Sequence, residues 1–358
     1  MGGSGENKAM NAKLKRRLTI YFSTGIGGAI LWAVLHWVGW RRVTQEFLSL
    51  GPLGGAVFFL NAVAMFFLWA LTWKILLRSY GIERRWSEVL GAFASGYTVT
   101  YITPSANFGG EPVRVYLISH GFTDQTQEAT SSVIVERFLN MMSALVLMFI
   151  GSVYGLFTDR LSFGFRWGLF GCASAGMAFL VWAIISFRHQ RLWMTRGLRF
   201  IARLVPWRGY ISRAADWFAV VEREIDCAFS PRRRRRTQLA FIPALLSSVL
   251  FALNPLIFFY FSAGTVLSVL DLTLIFALAM FLNMFLWVTP GGMGVIEGGL
   301  IGIFTLFGIG KAAAVGFSFA LKLTEIVYVL YGIIYLFTHG TARLLHHPVS
   351  PPLGETSR

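Results

Sequence analysis

The residues of this chain best suited to chemistry are charges set in apolar surroundings. Glu111, Arg114, Glu136, Arg137, Glu297, Lys322 and Glu325 all lie in or beside uncharged hydrophobic stretches. A charge at the centre of a membrane helix costs about 2.5–3.5 kcal/mol on insertion scales, so such residues pair, face a polar cavity, or do both. Their spacing forms stripes: Ser132, Glu136, Asn140 and Ser143 recur at helical intervals, as do Ser318, Lys322, Glu325 and Tyr328. Adjacent Glu136 and Arg137 point about 100° apart on a helix, so they need different partners. Two readings follow. The charges are ion pairs that hold helices together, or they line a path for a charged cargo.

Two glycine-rich motifs accompany them. In the first, which also holds Asn107, Gly109-Gly110 admits backbone geometry that other residues avoid. Pro112 suits the first turn of a helix. A half-helix starting near Glu111 would aim its N–H groups and positive end at an anionic group such as phosphate, with Arg114 in the same turn. Gly291, Gly292 and Gly294 offer the same device in the second half of the chain. Either motif alone also fits a plain helix kink. Glu111 and Glu297 also fit as simple complements to half-helix dipoles.

Other chemistry is missing from the sequence. There is no H-E-x-x-H, C-x-x-C, G-x-S-x-G or Walker A motif. The aspartates form no close pair at membrane depth, as magnesium-assisted diphosphate chemistry would require. Cys172 and Cys227 have neither metal-ligand nor disulfide-framework spacing. The expectation is no enzyme, no metal and no cofactor. Transport would be passive or ion-coupled, never ATP-driven.

The elements that must position these groups are membrane helices. The 358 residues are 55% hydrophobic and 14% charged, with a mean hydropathy of +0.61. A soluble chain of this length carries roughly 25% charge, so a soluble enzyme, a disordered tail and a coiled coil are excluded. A span needs about 20 apolar residues. Residues 18–40, 52–77, 125–157, 167–187, 239–262 and 311–337 qualify. Two further stretches are broken: 89–110 at Pro104, and 272–307 at Pro290-Gly291-Gly292.

The net charge of +15 does not indicate nucleic acid, because the basic residues sit mainly between apolar spans. If the leader 1–17, residues 74–88, the loop 188–236 and the tail all face the cytoplasm, they hold 24 of 32 basic residues and the opposite loops hold five. That bias fixes orientation. The helix 125–157 must then end outside, so 89–120 enters and leaves from the cytoplasm and 271–308 from the outer side. Both read as re-entrant hairpins, whose irregular backbone is tolerated inside protein or beside a water-filled cavity. Each half so has three spans and one hairpin, which inverts the halves, as in secondary transporters.

The expected fold is all-α and polytopic, with two inverted repeats of three spanning helices plus one broken hairpin each. Repeat one covers 18–157 with its hairpin at 89–120. Repeat two covers 167–337, with the basic loop 188–238 and a hairpin at 271–308, followed by a cytoplasmic tail 338–358. Met1 to Gly5 reads as a linker, with Met10 as an alternative start. Apolar and arginine residues alternate around Trp193 to Val205, which fits either an interfacial helix or a simple topology anchor. The outer loop 41–51 offers Glu46 alone as an acid, which argues against a lipid-linked sugar transferase.

Gly109-Gly110-Glu111-Pro112-Val113-Arg114, Val135-Glu136-Arg137 and Pro290-Gly291-Gly292-Met293-Gly294-Val295-Ile296-Glu297 together resemble the flippase-like family named after the transmembrane region of lysylphosphatidylglycerol synthase. The likeness runs from about Leu18 to Phe337. It implies movement of a lipid between leaflets, with Pro104, Asn107, Gly109, Gly110, Glu111, Arg114, Glu136, Arg137, Pro290, Gly291, Gly292, Gly294 and Glu297 at the family's motif positions. Asn140 stands where the family often has an acid, and Lys322 where it often has arginine. The aminoacyl-transferase domain of the full synthase is missing, so lipid aminoacylation is not expected. A separate lipid-modifying enzyme is a candidate partner. The resulting expectation is a flippase or scramblase for an anionic lipid in the bacterial inner membrane, with both termini cytoplasmic. The alternative is an ion-coupled carrier of a small soluble anion. Lipid identity, direction and oligomeric state are left open.

Overall fold

A computed structural model describes residues 40–103, 109–119, 125–188, 233–285 and 295–340, with a few more between 219 and 231. The expected first span, the leader, most of the basic loop, the residues after 340 and both Pro/Gly turns (104–108 and 286–294) lie outside the described residues. All the regular structure described is helical. In chain order the helices are α1 (Trp40–Leu48), α2 (Gly51–Ser79), α3 (Trp86–Ile102), α4 (Glu111–Ile118), α5 (Thr126–Phe157), α6 (Phe163–Arg188), α7 (Arg234–Ala263), α8 (Val269–Phe285), α9 (Val295–Thr305) and α10 (Lys311–Tyr335). A short π-turn, Leu336–Gly340, extends α10.

Five of these, α2, α5, α6, α7 and α10, are long and apolar enough to cross a membrane. The protein is a multi-pass membrane protein. The eight residues of α4 and eleven of α9 rise only about 12 and 16 Å, short of a bilayer core about 30 Å thick. Two expectations on boundaries shift. The segment after residue 40 forms the helix α1, packed on α10, rather than a loop. Helix α7 starts at Arg234 rather than at 239, so the last arginines of the basic run form its first turn. Arg236 Nη1 donates to the carbonyl of Arg78 at 2.7 Å, which caps the C-terminal end of α2 and explains the early start.

The packing is organised in matched pairs. Helix α2 packs along α7, α3 against α10, and α8 against α5. Asn61 on α2 donates to the carbonyl of Leu250 (3.0 Å) and to Asn254 Oδ1 (2.8 Å), at the turn that Pro255 disrupts in α7. A side chain from a neighbouring helix is what keeps such a break tolerable in a membrane helix. The α3–α10 and α5–α8 crossings each rest on a glycine. A Cβ on Gly332 would meet the Ala94 carbonyl, and one on Gly151 would meet the Thr273 carbonyl. Small residues let backbones approach where lipid tails compete for every apolar contact. Around these crossings, edge-to-face rings of Phe58, Phe258, Phe304 and Phe317 knit α2, α7, α9 and α10 together.

Two arginines close the broken segments. Arg84, just before α3, donates through Nε to the carbonyl of Ile118 at the end of α4 (3.0 Å) and through Nη2 to Gln125 Oε1 (2.8 Å). The start of α3 and the end of α4 thus meet beside the start of α5. Arg160, just after α5, donates through Nη1 to the carbonyl of Leu306 at the end of α9 (3.1 Å), and its Nε lies 3.8 Å from Asp271 at the start of α8. The two ends of the second broken segment therefore meet beside the end of α5. At 1.5 Å per residue, the 32 residues of α5 put these two closures about 48 Å apart.

Candidate functional site

The charged stripe of α5 faces α4 and α2. Glu136 is buried, and Arg114 Nη1 on α4 donates to its Oε2 at 2.9 Å. Asn140 Nδ2 donates to the other carboxylate oxygen at 2.5 Å. The guanidinium carbon of Arg114 lies 4.2 Å from the ring centre of Trp73 and 4.5 Å from that of Phe93, so two aromatic faces share its charge. The Trp73 indole N–H donates to Ser132 Oγ at 3.0 Å, which ties this aromatic wall to the same stripe. Arg137 turns to a different partner: its Nε (2.9 Å) and Nη2 (2.6 Å) both donate to Glu111 Oε1.

Glycine makes this approach possible. A Cβ on Gly96 would strike the Arg114 side chain, and one on Gly110 would strike the carbonyl of Gly96 and Thr100 Oγ1. Gly109 lies beside it in the same turn. Several buried polar atoms here have no hydrogen-bond partner among the described residues: Arg114 Nε and Nη2, Glu111 Oε2, Asn140 Oδ1 and Thr100 Oγ1.

The second cluster joins α9, α10 and α3. Lys322 Nζ lies 3.2 Å from Glu297 Oε1, and Ser318 Oγ donates to the same oxygen at 3.3 Å. Glu297 is buried. One turn further along α10 stands Glu325, and Tyr101 lies in the last turn of α3. Tyr97 stacks on Tyr101 and meets Tyr328 edge-on, with ring centres 6.2 and 5.8 Å apart.

The two clusters share a numerical relation. Glu111 and Glu297 are 186 residues apart, and Arg137 and Lys322 are 185 apart. Each pair is a carboxylate near the start of a short helix bridged to the twelfth residue of a long one. Asn140 and Glu325 obey the same spacing of 185.

Of the residues singled out from sequence, Gly110, Glu111, Arg114, Glu136, Arg137 and Asn140 come together in the first cluster. Glu297, Lys322 and Glu325 come together in the second. Asn107, Gly291, Gly292 and Gly294 lie outside the described residues. The sequence reading missed Trp73, Phe93, Tyr97 and Tyr101. The tyrosines leave a trace, a four-residue spacing in an otherwise apolar segment. The two rings around Arg114 leave none, because they come from different helices. No group of three or more His, Cys, Asp or Glu side chains able to hold a metal occurs among the described residues.

Comparison with known proteins accounts for most of the chain. A UPF0104 membrane protein of Pyrococcus horikoshii is 23% identical over 303 residues, covering 81% of this chain and 88% of the relative. Two UPF0104 membrane proteins of Methanothermobacter thermautotrophicus are 21% and 26% identical, covering 83% and 81% of this chain and 86% of each relative. No solved structure matches. Residues 20–332 match the family described as the lysylphosphatidylglycerol synthase TM region, and with that match spanning both charged clusters, the chain belongs to this family.

Proposed function

We propose that this protein moves an anionic lipid headgroup between the leaflets of a cytoplasmic membrane, acting as a flippase or scramblase rather than as an enzyme. The observation that carries the reading is Arg114. It is a guanidinium buried at membrane depth, with two N–H-bearing nitrogens, Nε and Nη2, that have no acceptor among the described residues. An unmet buried donor is costly, and a phosphate oxygen would supply the missing acceptors with charge-assisted bonds. Lipid tails would stay in the bilayer while the headgroup passes the two clusters.

The architecture supports the same reading. Two broken segments close at opposite ends of α5, and matched helix pairs surround them. That arrangement suits inverted repeats with re-entrant hairpins, in which substrate binds near the midplane. In this reading the termini face the cytoplasm, as the basic residues require. Breaking the Arg137–Glu111 and Lys322–Glu297 bridges in alternation would open the path first to one side and then to the other.

The test is leaflet exchange in proteoliposomes. Fluorescent phosphatidylglycerol, an aminoacylated phosphatidylglycerol and a polyprenyl phosphate are compared, with Arg114→Ala and Arg137→Ala as variants. Exchange of at least one anionic lipid that falls tenfold or more in Arg114→Ala supports the reading. Folded protein that moves none of them, but takes up a small soluble anion, replaces it with the anion-carrier reading.

A further inference from the structure

Ten buried side-chain nitrogen and oxygen atoms have no hydrogen-bond partner among the described residues, and five of them sit around the first turn of α4: Arg114 Nε and Nη2, Glu111 Oε2, Asn140 Oδ1 and Thr100 Oγ1. The four residues are linked through their partnered atoms. Arg114 and Asn140 bond opposite oxygens of the one Glu136 carboxylate. Glu111, in the same turn as Arg114, is bridged to Arg137, the neighbour of Glu136. Thr100 Oγ1 lies 2.6 Å from the place that a Cβ on Gly110 would take, at the entry to α4.

These five atoms ask for two kinds of partner. The Nε–H and Nη2–H groups form one edge of the guanidinium, the fork that meets the oxygens of an oxyanion side by side. Arg137 uses that same edge on Glu111 Oε1. On Arg114 the edge needs an acceptor. Glu111 and Asn140 need the opposite. Glu111 Oε2 belongs to a carboxylate paired with a guanidinium, so it accepts only. Asn140 is held in one orientation, because Nδ2 faces both the Glu136 carbonyl at 3.1 Å and the Glu136 carboxylate, so Oδ1 is the atom left over. Thr100 Oγ1 accepts or donates. A bare phosphate would satisfy Arg114 and leave Glu111 and Asn140 buried without donors, which is costly. The donors that fit are neutral. Each carboxylate here already holds a guanidinium, and an added ammonium would be repelled by both Arg114 and Arg137. A hydroxyl meets the same acceptors without that repulsion.

We propose that the first cluster recognises a phosphodiester headgroup bearing free hydroxyl groups, as a glycerol or a sugar does. The phosphate takes the Nε/Nη2 edge of Arg114, and the hydroxyls donate to Glu111 Oε2, Asn140 Oδ1 and Thr100 Oγ1. Movement of such a headgroup between leaflets rests on the reading given above, whereas its recognition does not. A headgroup without hydroxyls is rejected because it strands the site's own acceptors.

Recognition is read by isothermal titration of short-chain lipids into the full-length protein in detergent micelles. Dihexanoyl phosphatidylglycerol is compared with dihexanoyl phosphatidylpropanol, which has the same charge and length but no hydroxyl, and with a glucosyl ester of a short-chain prenyl phosphate. The wild type should bind at least one hydroxylated probe about tenfold or more tightly than phosphatidylpropanol. The tighter of the two names the source, glycerol or sugar. Thr100→Val, which keeps the side-chain shape, and Asn140→Leu should narrow that ratio to roughly threefold or less. Arg114→Lys should weaken all three probes by similar factors, because the phosphate is common to them. Equal wild-type affinity for all three probes, or no binding of any by folded protein, overturns the proposal. So does a ratio that survives unchanged in both Thr100→Val and Asn140→Leu.

Leaflet exchange of long-chain forms of the same lipids separates this proposal from the flippase reading. Exchange rates that rank as the affinities do support both. Hydroxyl-dependent binding without exchange of any lipid refutes the flippase reading and leaves the headgroup site standing. Exchange of all the lipids at one rate, with equal affinities, removes the headgroup site and leaves the flippase reading.

Discussion

Removing one partner of the Arg114–Glu136 pair should destabilise the protein far more than removing both. The two side chains are 3% and 2% exposed, so neither charge can turn to solvent when its partner is lost. Breaking a pair of this kind costs about 3–5 kcal/mol, whereas replacing the whole pair with neutral groups of similar volume is close to neutral. Arg114→Met keeps the aliphatic stem against Trp73 and Phe93 but leaves the Glu136 carboxylate with Asn140 as its remaining side-chain donor. It should cost about 4 kcal/mol. Glu136→Gln retains a carbonyl oxygen that can still accept from Arg114, so its loss should sit near the lower end, about 3 kcal/mol, or roughly a 150-fold change in the folded-to-unfolded ratio. The double variant should fall within about 1 kcal/mol of wild type. The assay is reversible unfolding in mixed micelles, followed by tryptophan fluorescence, with the four proteins forming a double-mutant cycle. Asp159→Asn, on a fully exposed carboxylate paired with Arg166, serves as the control and should not move the transition. Losses that simply add in the double variant, leaving a coupling below about 0.5 kcal/mol, would refute the argument that burial makes the two charges interdependent.

Two further outcomes test how the broken segments are held. Gly110→Ala places a methyl group against the Gly96 carbonyl and Thr100. Neither backbone can yield cheaply, so a loss of about 1–3 kcal/mol is expected in the same unfolding assay, and an unchanged transition would show that α3 and α4 can separate. Arg84→Ala and Arg160→Ala each remove charge-assisted bonds that join the ends of one broken segment. Each bond contributes about 1.5–3 kcal/mol, and hydrogen exchange should rise around residues 111–119 for the first variant and 300–306 for the second, without crossing over.

Much of this architecture was legible in the residues. Apolar runs of span length identified α2, α5, α6, α7 and α10, because a membrane leaves helices as the simplest way to satisfy every backbone group. Pro104 and Pro290, each followed by glycines, read as breaks in the sequence; the described helices stop at Ile102 and resume at Glu111, and the Pro290 motif lies outside the described residues. The polar stripes on α5 and α10 followed from helical period alone, and so did the need of Glu136 and Arg137 for separate partners. These are one-dimensional properties: they depend on composition and on 3.6 residues per turn.

The partners themselves depend on how helices pack, and period carries no record of that. Nothing in the spacing of Arg114 says that it lies between Trp73 on α2 and Phe93 on α3, or that Gly96 leaves room for its side chain. Tyr97 and Tyr328 are 231 residues apart, and they meet because α3 crosses α10 where Gly332 lets the backbones close. The closure of each broken segment by a single arginine is likewise a property of where four chain ends converge. Glu297 and Lys322 stand in the sequence as two separate charges, but they acquire meaning once they are seen to lie 3.2 Å apart, because electrostatic energy depends on distance and burial rather than on order along the chain.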